Sequence, residues 1–394
     1  MKKNKSKYFI LAFANSLILF VLTSWFWSLP WLAGDEKMMI WATSAIRLTN
    51  REIPDSEDFA FINVAYDRML IDKQDEYGFT VGNQAVTDRK KLTKLLRVIN
   101  QSEAQPKYLF CDIYFEESTM YDSALAIEFG SLKNHVVSTH LNENEELTLP
   151  VIKSANIGLS DYVIGNIFEG VYKFQLFFKD SLRLTPLTIY QDLNNAEIKR
   201  FGPFVRINDQ FTLNHFIMNY RLLQHDIYDL ETGFNPVNLG ELLMLSDKDI
   251  ADFLQNKIVI IGDFFESDMH ETMFEITSGP VILLNAYLAI QNNDTVVSIP
   301  FLLLLMLVYF WLSYIAIYPD DLIERYIKRK FGKIKWVGNL TSFMSYVIGL
   351  VVTSILTYFL FNIHLNVFML SIYFFIIEKI SDIVHKKLIP SKEG

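Results

Sequence analysis

Asn256-Lys257-Ile258-Val259-Ile260-Ile261-Gly262-Asp263 is the stretch that decides the fold class. Four consecutive β-branched residues closed by glycine and aspartate describe a strand covered on both faces, because a strand with one wet face alternates polar and apolar positions. A helix runs directly into it. Residues 246–255 carry Ser246 as cap with Asp247 and Asp249 in the first turn, where acids meet the positive end of the helix. Helix followed at once by doubly covered strand is the repeating unit of an α/β sheet.

The pattern recurs upstream. Residues 59–65, 108–113, 135–139, 172–178 and 216–220 read as strands, and residues 120–132 and 280–293 as helices. Residues 88–101 read as a helix capped by Asp88, with Leu92, Leu95, Leu96 and Ile99 on one face. Ligands of open α/β sheets gather at the carboxyl ends of the strands, so Asp112 and Gly262-Asp263 are the places to look. Glu116, Glu117 and Asp122 follow Asp112 closely. Carboxylates so grouped can hold a metal or perform acid–base work, while turn chemistry, with Asp122 capping the next helix, accounts for the same residues. Asp112, Glu116, Asp122, Gly262 and Asp268 are therefore the ligand-binding candidates. Asp112, Asp122, Gly262 and Asp268 are expected at one end of the sheet, with Asp112 within about 15 Å of Gly262, the width of a small-molecule pocket. No catalytic residue, metal ligand or cofactor is assigned.

Hydrophobic residues make up 51% of the 394, more than one soluble core needs, and the surplus is concentrated in four windows. Residues 8–33, 299–317 and 339–361 are long enough for a hydrocarbon core that takes about 20 residues. The fourth, 362–380, is shorter in its apolar part and ends among charges, so it spans only if its end snorkels. The first window is preceded by Lys2, Lys3, Lys5 and Lys7 and holds Trp25, Trp27 and Trp31. It is too long and aromatic for a cleaved leader and reads as a retained anchor. Basic residues concentrate in 1–7, in the loop 318–338 and in the tail 381–394, which places these three segments in the cytoplasm. A helix at 321–331 is expected to lie on the inner surface. Residues 34–298 then form one extracytoplasmic α/β domain, joined to four transmembrane helices in a bacterial cytoplasmic membrane.

Of the 45 acidic residues only six lie outside 34–298, against fourteen of the 36 basic ones, so that domain is strongly acidic. Such a surface repels nucleic acid and suits solvent exposure or cationic ligands. A single cysteine, Cys111, leaves no internal disulfide, and in its apolar run it reads as a small buried residue.

Several landmarks resemble the CHASE type-2 domain, an extracellular sensor associated with cyclases and histidine kinases. Phe110-Cys111-Asp112-Ile113-Tyr114-Phe115 and then Tyr121-Asp122-Ser123-Ala124-Leu125-Ala126 are similar to its strand, loop and helix. Glu169-Gly170-Val171-Tyr172 stands where the family places an Asp-Gly-Val turn, and Phe216-Ile217-Met218-Asn219-Tyr220 resembles its late tyrosine-bearing strand. Asn256 to Gly262, then Asp268, Gly279 and Asn285-Ala286, match its closing strand, loop and helix, the most specific block. The chain departs from the family at Glu169 for aspartate, at Lys173 near an arginine, at Gly279-Pro280 for Pro-Gly, and at Leu283 where histidine is frequent.

Phosphate loops, zinc spacings and nucleophile elbows do not occur, and His270-Glu271 lacks a second histidine at helical spacing. The resemblance implies a sensor or adaptor that passes a signal to a separate output protein in the membrane or cytoplasm, since few residues follow the last window. An outward-facing carboxylate-dependent hydrolase and a structural scaffold of a membrane complex are the alternatives.

Overall fold

Phe59–Asn63, Tyr108–Cys111, His135–Thr139 and Ile258–Gly262 are buried at every position, as strands covered on both faces must be. The computed structural model describes residues 2–29, 34–49, 51–74, 77–153, 155–162, 170–179, 181–265, 267–318 and 335–388. The chain divides into two compact units, one formed by Ile46–Arg200 and Met218–Asp294 and the other by Met1–Ala45, Phe201–Ile217 and Thr295–Gly394.

The first unit carries the sheet. In chain order its main elements are β1 (Phe59–Asn63), β2 (Arg68–Gln74), β3 (Thr80–Thr87), α1 (Arg89–Gln101), β4 (Tyr108–Cys111), α2 (Asp122–Ser131), β5 (His135–Thr139), β6 (Ile157–Leu159), α3 (Thr185–Asn194), β7 (Val237–Asn238), α4 (Asp247–Leu254), β8 (Ile258–Gly262) and α5 (Gly279–Gln291). Six strands align in the order β7-β1-β8-β4-β5-β6, and every pairing is parallel. All six carboxyl ends therefore lie on one edge.

Both faces are covered. Leu92, Leu95 and Leu96 of α1, Leu125 and Phe129 of α2, and Ile250 and Leu254 of α4 cluster with Ile62, Leu109, Cys111, Val259 and Ile261. Tyr108 alternates with Leu109 and so projects from the opposite face, where its hydroxyl donates to Asp192 of α3 at 2.6 Å. Burial there pushes its phenol far up, with Asp192 adding to the effect. Cys111 is buried, and its thiol is likewise pushed up by burial.

Asp88 caps α1 as expected, accepting from the N–H groups of Lys90 at 3.0 Å and Lys91 at 3.1 Å. Asp88→Ala leaves both donors without that partner and is expected to cost about 1 kcal/mol, read as a lower midpoint in chemical denaturation. The two strands of the β2–β3 hairpin, β6, β7 and α3 carried no sequence signal. The β2–β3 hairpin is exposed along most of β3 and so shows no core stripe. β6 is only three residues long, and α3 begins after Leu184, which offers no side-chain cap. The expected strand at 172–178 is split into Lys173–Gln175 and Phe177–Phe178, and that at 216–220 is His215–Ile217.

In the second unit Ser6–Trp27, Ile299–Ile317 and Phe343–Phe361 are long and apolar enough to cross a membrane. The fourth window is one continuous helix, Val367–Leu388, in which Glu378, Lys379 and Asp382 break the apolar run. Polar groups join the helices. Asn15 donates from Nδ2 to Ser313 Oγ at 2.8 Å and accepts on Oδ1 from the Tyr373 hydroxyl at 2.6 Å, tying three helices at one level. Thr23 and Tyr309 share a hydrogen bond of 2.6 Å, and Tyr8 and His385 one of 2.8 Å. Residues 319–334, with most of the basic loop and the helix expected at 321–331, lie outside the described residues, as do Trp31, Glu169 and the tail from residue 389.

Candidate functional site

Five of the six parallel strands deliver the residue after their last position to one cavity. Val64 follows β1, Asp263 follows β8, Asp112 follows β4, His140 follows β5 and Ser160 follows β6, and all five line a space of about 300 Å³. The crevice at the carboxyl edge of an open parallel sheet is where such folds hold ligands. Arg68 and Gln84 to Thr87 of the hairpin, Arg89, Glu116, Glu117, Tyr162, Asp268 and Leu283 complete the wall.

Asp112 follows β4, one of the two central strands of the sheet. Its N–H donates to the Ile261 carbonyl at 2.7 Å, extending the β4–β8 ladder by one residue. Its Oδ1 accepts from the Ser138 hydroxyl, which is bonded to Ser160 Oγ at 2.6 Å, and that in turn to Thr185 Oγ1 at 2.9 Å. Asp112 keeps some accessible surface, as a residue facing a cavity does, yet it lies deep among protein atoms. Burial pushes its carboxyl up to about 7, and the negative charge of Asp268 adds to this. The Ser138 hydrogen bond and the positive potentials of His140 and His270 oppose the shift without cancelling it.

Two histidine–aspartate pairs flank this carboxyl. His140 Nδ1 lies 2.7 Å from Asp161 Oδ1, and Asp161 Oδ2 accepts from the Leu141 N–H at 2.7 Å. Burial works against the charged imidazole, but the Asp161 hydrogen bond, followed by the charges of Asp161, Asp112 and Asp268, outweighs it and raises His140. His270 Nε2 lies 2.7 Å from Asp268 Oδ1. Tyr114 stands edge-on to His140 at 5.3 Å and Tyr162 edge-on to His270 at 5.0 Å. Burial pushes the Tyr162 phenol far up, and Asp268 and Asp112 push it further, so its hydroxyl stays protonated and able to donate.

The arginines at the wall are already matched. Arg68 Nη2 donates to Asp263 Oδ2 at 3.1 Å. Arg89, 2% exposed, binds Asp122 and stacks over the Phe115 ring at 5.2 Å. Asp112, Glu116, Glu117 and Asp268 thus face a cavity whose arginines are held by other acids, with His140 and His270 as the bases acting on Asp112. Among the described residues no group of three His, Cys, Asp or Glu side chains is arranged to hold a metal ion.

Of the five residues singled out in the sequence, Asp112, Glu116 and Asp268 line the cavity. Gly262 lies directly beneath it, where an added Cβ would stand 3.5 Å from Asp112 Cβ and 2.5 Å from Pro280 Cγ. Asp122 does not line it. Its carboxylate is occupied by Arg89 and by the Thr119 N–H at 2.8 Å and hydroxyl at 2.7 Å, so it orders the turn before α2 and orients Arg89. His140, Asp161, Ser160 and the two arginines escaped the sequence reading. His140 follows a strand that was read correctly, and the rule that selected Asp112 selects it too.

A family model described as the CHASE2 domain matches residues 12–317. No curated protein matches the chain significantly, and no solved structure does.

Proposed function

The chain belongs to the CHASE2 domain family, a family of sensor domains, and on that premise we propose that it is a membrane-anchored sensor whose carboxyl-edge cavity receives a small organic cation. The observation carrying this reading is the charge balance of the cavity wall. Arg68 and Arg89 are held by Asp263 and Asp122, whereas among the described residues Asp112 has a hydroxyl as its only side-chain hydrogen-bond partner and faces Asp268, whose charge acts on Asp112 more strongly than that of His140 or of His270. A cationic ligand relieves that repulsion and returns Asp112 to its charged form, so binding and ionisation favour each other.

The sheet unit lies outside a bacterial cytoplasmic membrane, four helices anchor it, both termini face the cytoplasm, and its state is read by a separate output protein. The lysine-rich starts and ends of the apolar windows support this topology, and the polar ties from Asn15 to Ser313 and Tyr373 support the helix Val367–Leu388 as a member of the bundle. A sensor domain does no chemistry on its own, which is why an output protein is required. The hydrolase alternative draws on the same cavity, since Asp112, Glu116 and Asp268 line it while Asp122 is engaged by Arg89 and Thr119.

The test is a titration of the full chain in lipid nanodiscs with 1,4-diaminobutane, and with succinate as the opposite charge. The diamine is expected to raise the melting temperature in a saturable way, by the equivalent of roughly 2–3 kcal/mol at a hundredfold excess over Kd. Succinate and the Asp112→Asn variant are expected to show no such rise. Equal response to both ligands, or a diamine response that survives Asp112→Asn, defeats the cation reading. Chemical turnover of an added ester or amide by the purified chain restores the hydrolase.

A further inference from the structure

Within the membrane-helix unit a short antiparallel hairpin, Phe204–Ile207 with Gln210–Leu213, is bonded to the segment that leads into the second span. The Leu213 N–H donates to the Thr295 carbonyl at 3.2 Å, Thr212 Oγ1 donates to the same carbonyl at 2.9 Å, and the Val297 N–H donates to the Phe211 carbonyl at 2.8 Å. Ser298 then caps the helix that starts at Ile299. Val297 is two residues from that start, about 7 Å of extended chain. The headgroup zone is itself about 5–7 Å deep on each side of the hydrocarbon.

The register assigns the faces. Phe204 pairs with Leu213 and Arg206 with Phe211, so these four side chains share one face, while Val205, Ile207 and Thr212, all buried, and the exposed Gln210 belong to the other. The first face is the one directed at the bundle, because the Phe204 ring lies edge-on to Trp27 at 6.4 Å. Trp27 ends the first span, its ring is 5.7 Å from Phe301 near the start of the second, and its Nε1 donates to the His364 carbonyl beyond the third at 3.3 Å. Phe204 and Leu213 thus rest on the end of the bundle. Phe211, one step further along the same face, is 45% exposed, and Phe201, whose ring meets it edge-on at 6.1 Å, is 50% exposed. Arg206 lies opposite Phe211, donating from Nε to the Asn208 carbonyl at 2.7 Å and from Nη2 to the exposed Asp209 at 3.4 Å, a surface pair that a lipid phosphate can replace. Ile299 and Leu303, both exposed, begin the second span two and six residues beyond Val297, whose N–H is bonded to Phe211.

We propose that this hairpin face docks on the lipid surface of the membrane that the helices cross, with Phe201 and Phe211 seated at the headgroup boundary and Arg206 at phosphate level. Aromatic rings with a nearby base suit that zone, since the ring leaves water and the guanidinium meets lipid phosphate. The occupant is a bilayer because backbone hydrogen bonds tie the strand carrying Phe211 to chain only two residues from the start of the second span, which holds the patch at the depth of the headgroups. The inference rests on the helices crossing a membrane and is independent of what the cavity binds.

Cys111 is buried, so an introduced cysteine can be labelled selectively. Phe211→Cys, Gln210→Cys and Glu143→Cys, each in the full chain and carrying an environment-sensitive fluorophore, are placed in phosphatidylcholine–phosphatidylglycerol nanodiscs. Gln210 is an exposed neighbour on the opposite face, and Glu143 is an exposed turn position of the sheet unit. The label at 211 is expected to emit to the blue of the other two and to be quenched at least twofold more by lipid spin-labelled near the headgroup. Equal quenching at 210 and 211 overturns the docking. A blue shift at 211 without lipid quenching also overturns it and assigns the face to a second protein copy. The label at 210, on the same strand, shows whether the hairpin is folded in each sample.

Discussion

Asp112→Asn is expected to make the sheet unit more stable at pH 8 by on the order of 2 kcal/mol, and to lose that advantage as the pH is lowered. Burial, reinforced by Asp268, holds the carboxyl at about 7 against an ordinary value of 3.8. A raised carboxyl means that the folded state binds its proton more tightly than the unfolded chain does. Stability therefore falls as pH rises from about 4 to about 7, and the penalty is complete above 7. At 1.36 kcal/mol per unit the full difference corresponds to about 4 kcal/mol, and water entering through the cavity screens part of it. Asparagine keeps the acceptor that Ser138 requires and cannot ionise, so it removes the penalty and little else. Thermal melts of wild type and variant in the same nanodiscs should diverge most at pH 8, draw together between pH 7 and 4, and coincide below 4. A variant no more stable than wild type at pH 8, or a gap independent of pH, would show that Asp112 is an ordinary exposed acid. The same substitution abolishes diamine binding in the proposed function, so a gain in stability with a loss of response is the signature of a strained site.

Gly262→Ala is expected to act in the opposite direction, costing about 1–3 kcal/mol, the usual range for an overpacked core. Gly262 ends β8 opposite Asn63, and its carbonyl accepts the Val64 N–H at 3.0 Å. A methyl group there would stand 2.5 Å from Pro280 Cγ, closer than two carbons can approach. Pro280 is locked in the first turn of α5, and a pyrrolidine ring cannot swing aside as a flexible side chain can. Either α5 retreats or β8 does, and both carry the cavity wall: Gly279 donates to the Asp268 carbonyl at 2.8 Å, and Asp112 donates to Ile261. The variant should therefore lose denaturant stability and the diamine response together. Pro280→Ala in the same chain removes the colliding ring, and a double variant more stable than Gly262→Ala alone would assign the loss to this contact. If Gly262→Ala melts like wild type, the close approach of β8 and α5 is not a packing requirement.

Much of the edge that carries the site was legible in advance because strand ends are local features. Ile258 to Ile261 announces a doubly covered strand, a parallel sheet has one carboxyl edge, and the acid near the end of the strand read at 108–113 must stand there, although the strand itself stops at Cys111. Asp112 and Asp268 follow from that logic, as does the position of Gly262. Asp122 did not follow, since its partner Arg89 lies 33 residues away and no spacing rule links them. Arg68 was equally hidden, because it reaches Asp263 across 195 residues from a hairpin with little buried surface.

By itself, therefore, the sequence determined the apolar helices, the parallel sheet and the edge to examine, since hydrophobic run length and strand periodicity are set by nearest neighbours along the chain. Tertiary structure alone decided which carboxylates face the cavity uncompensated and which are held by arginine. It also decided that residues 201–217 join the unit of the apolar helices rather than that of the sheet. The reason is physical: a charge is neutralised by whatever the fold brings within a few ångströms, and side chains that meet after folding leave no period or spacing in the chain to announce it.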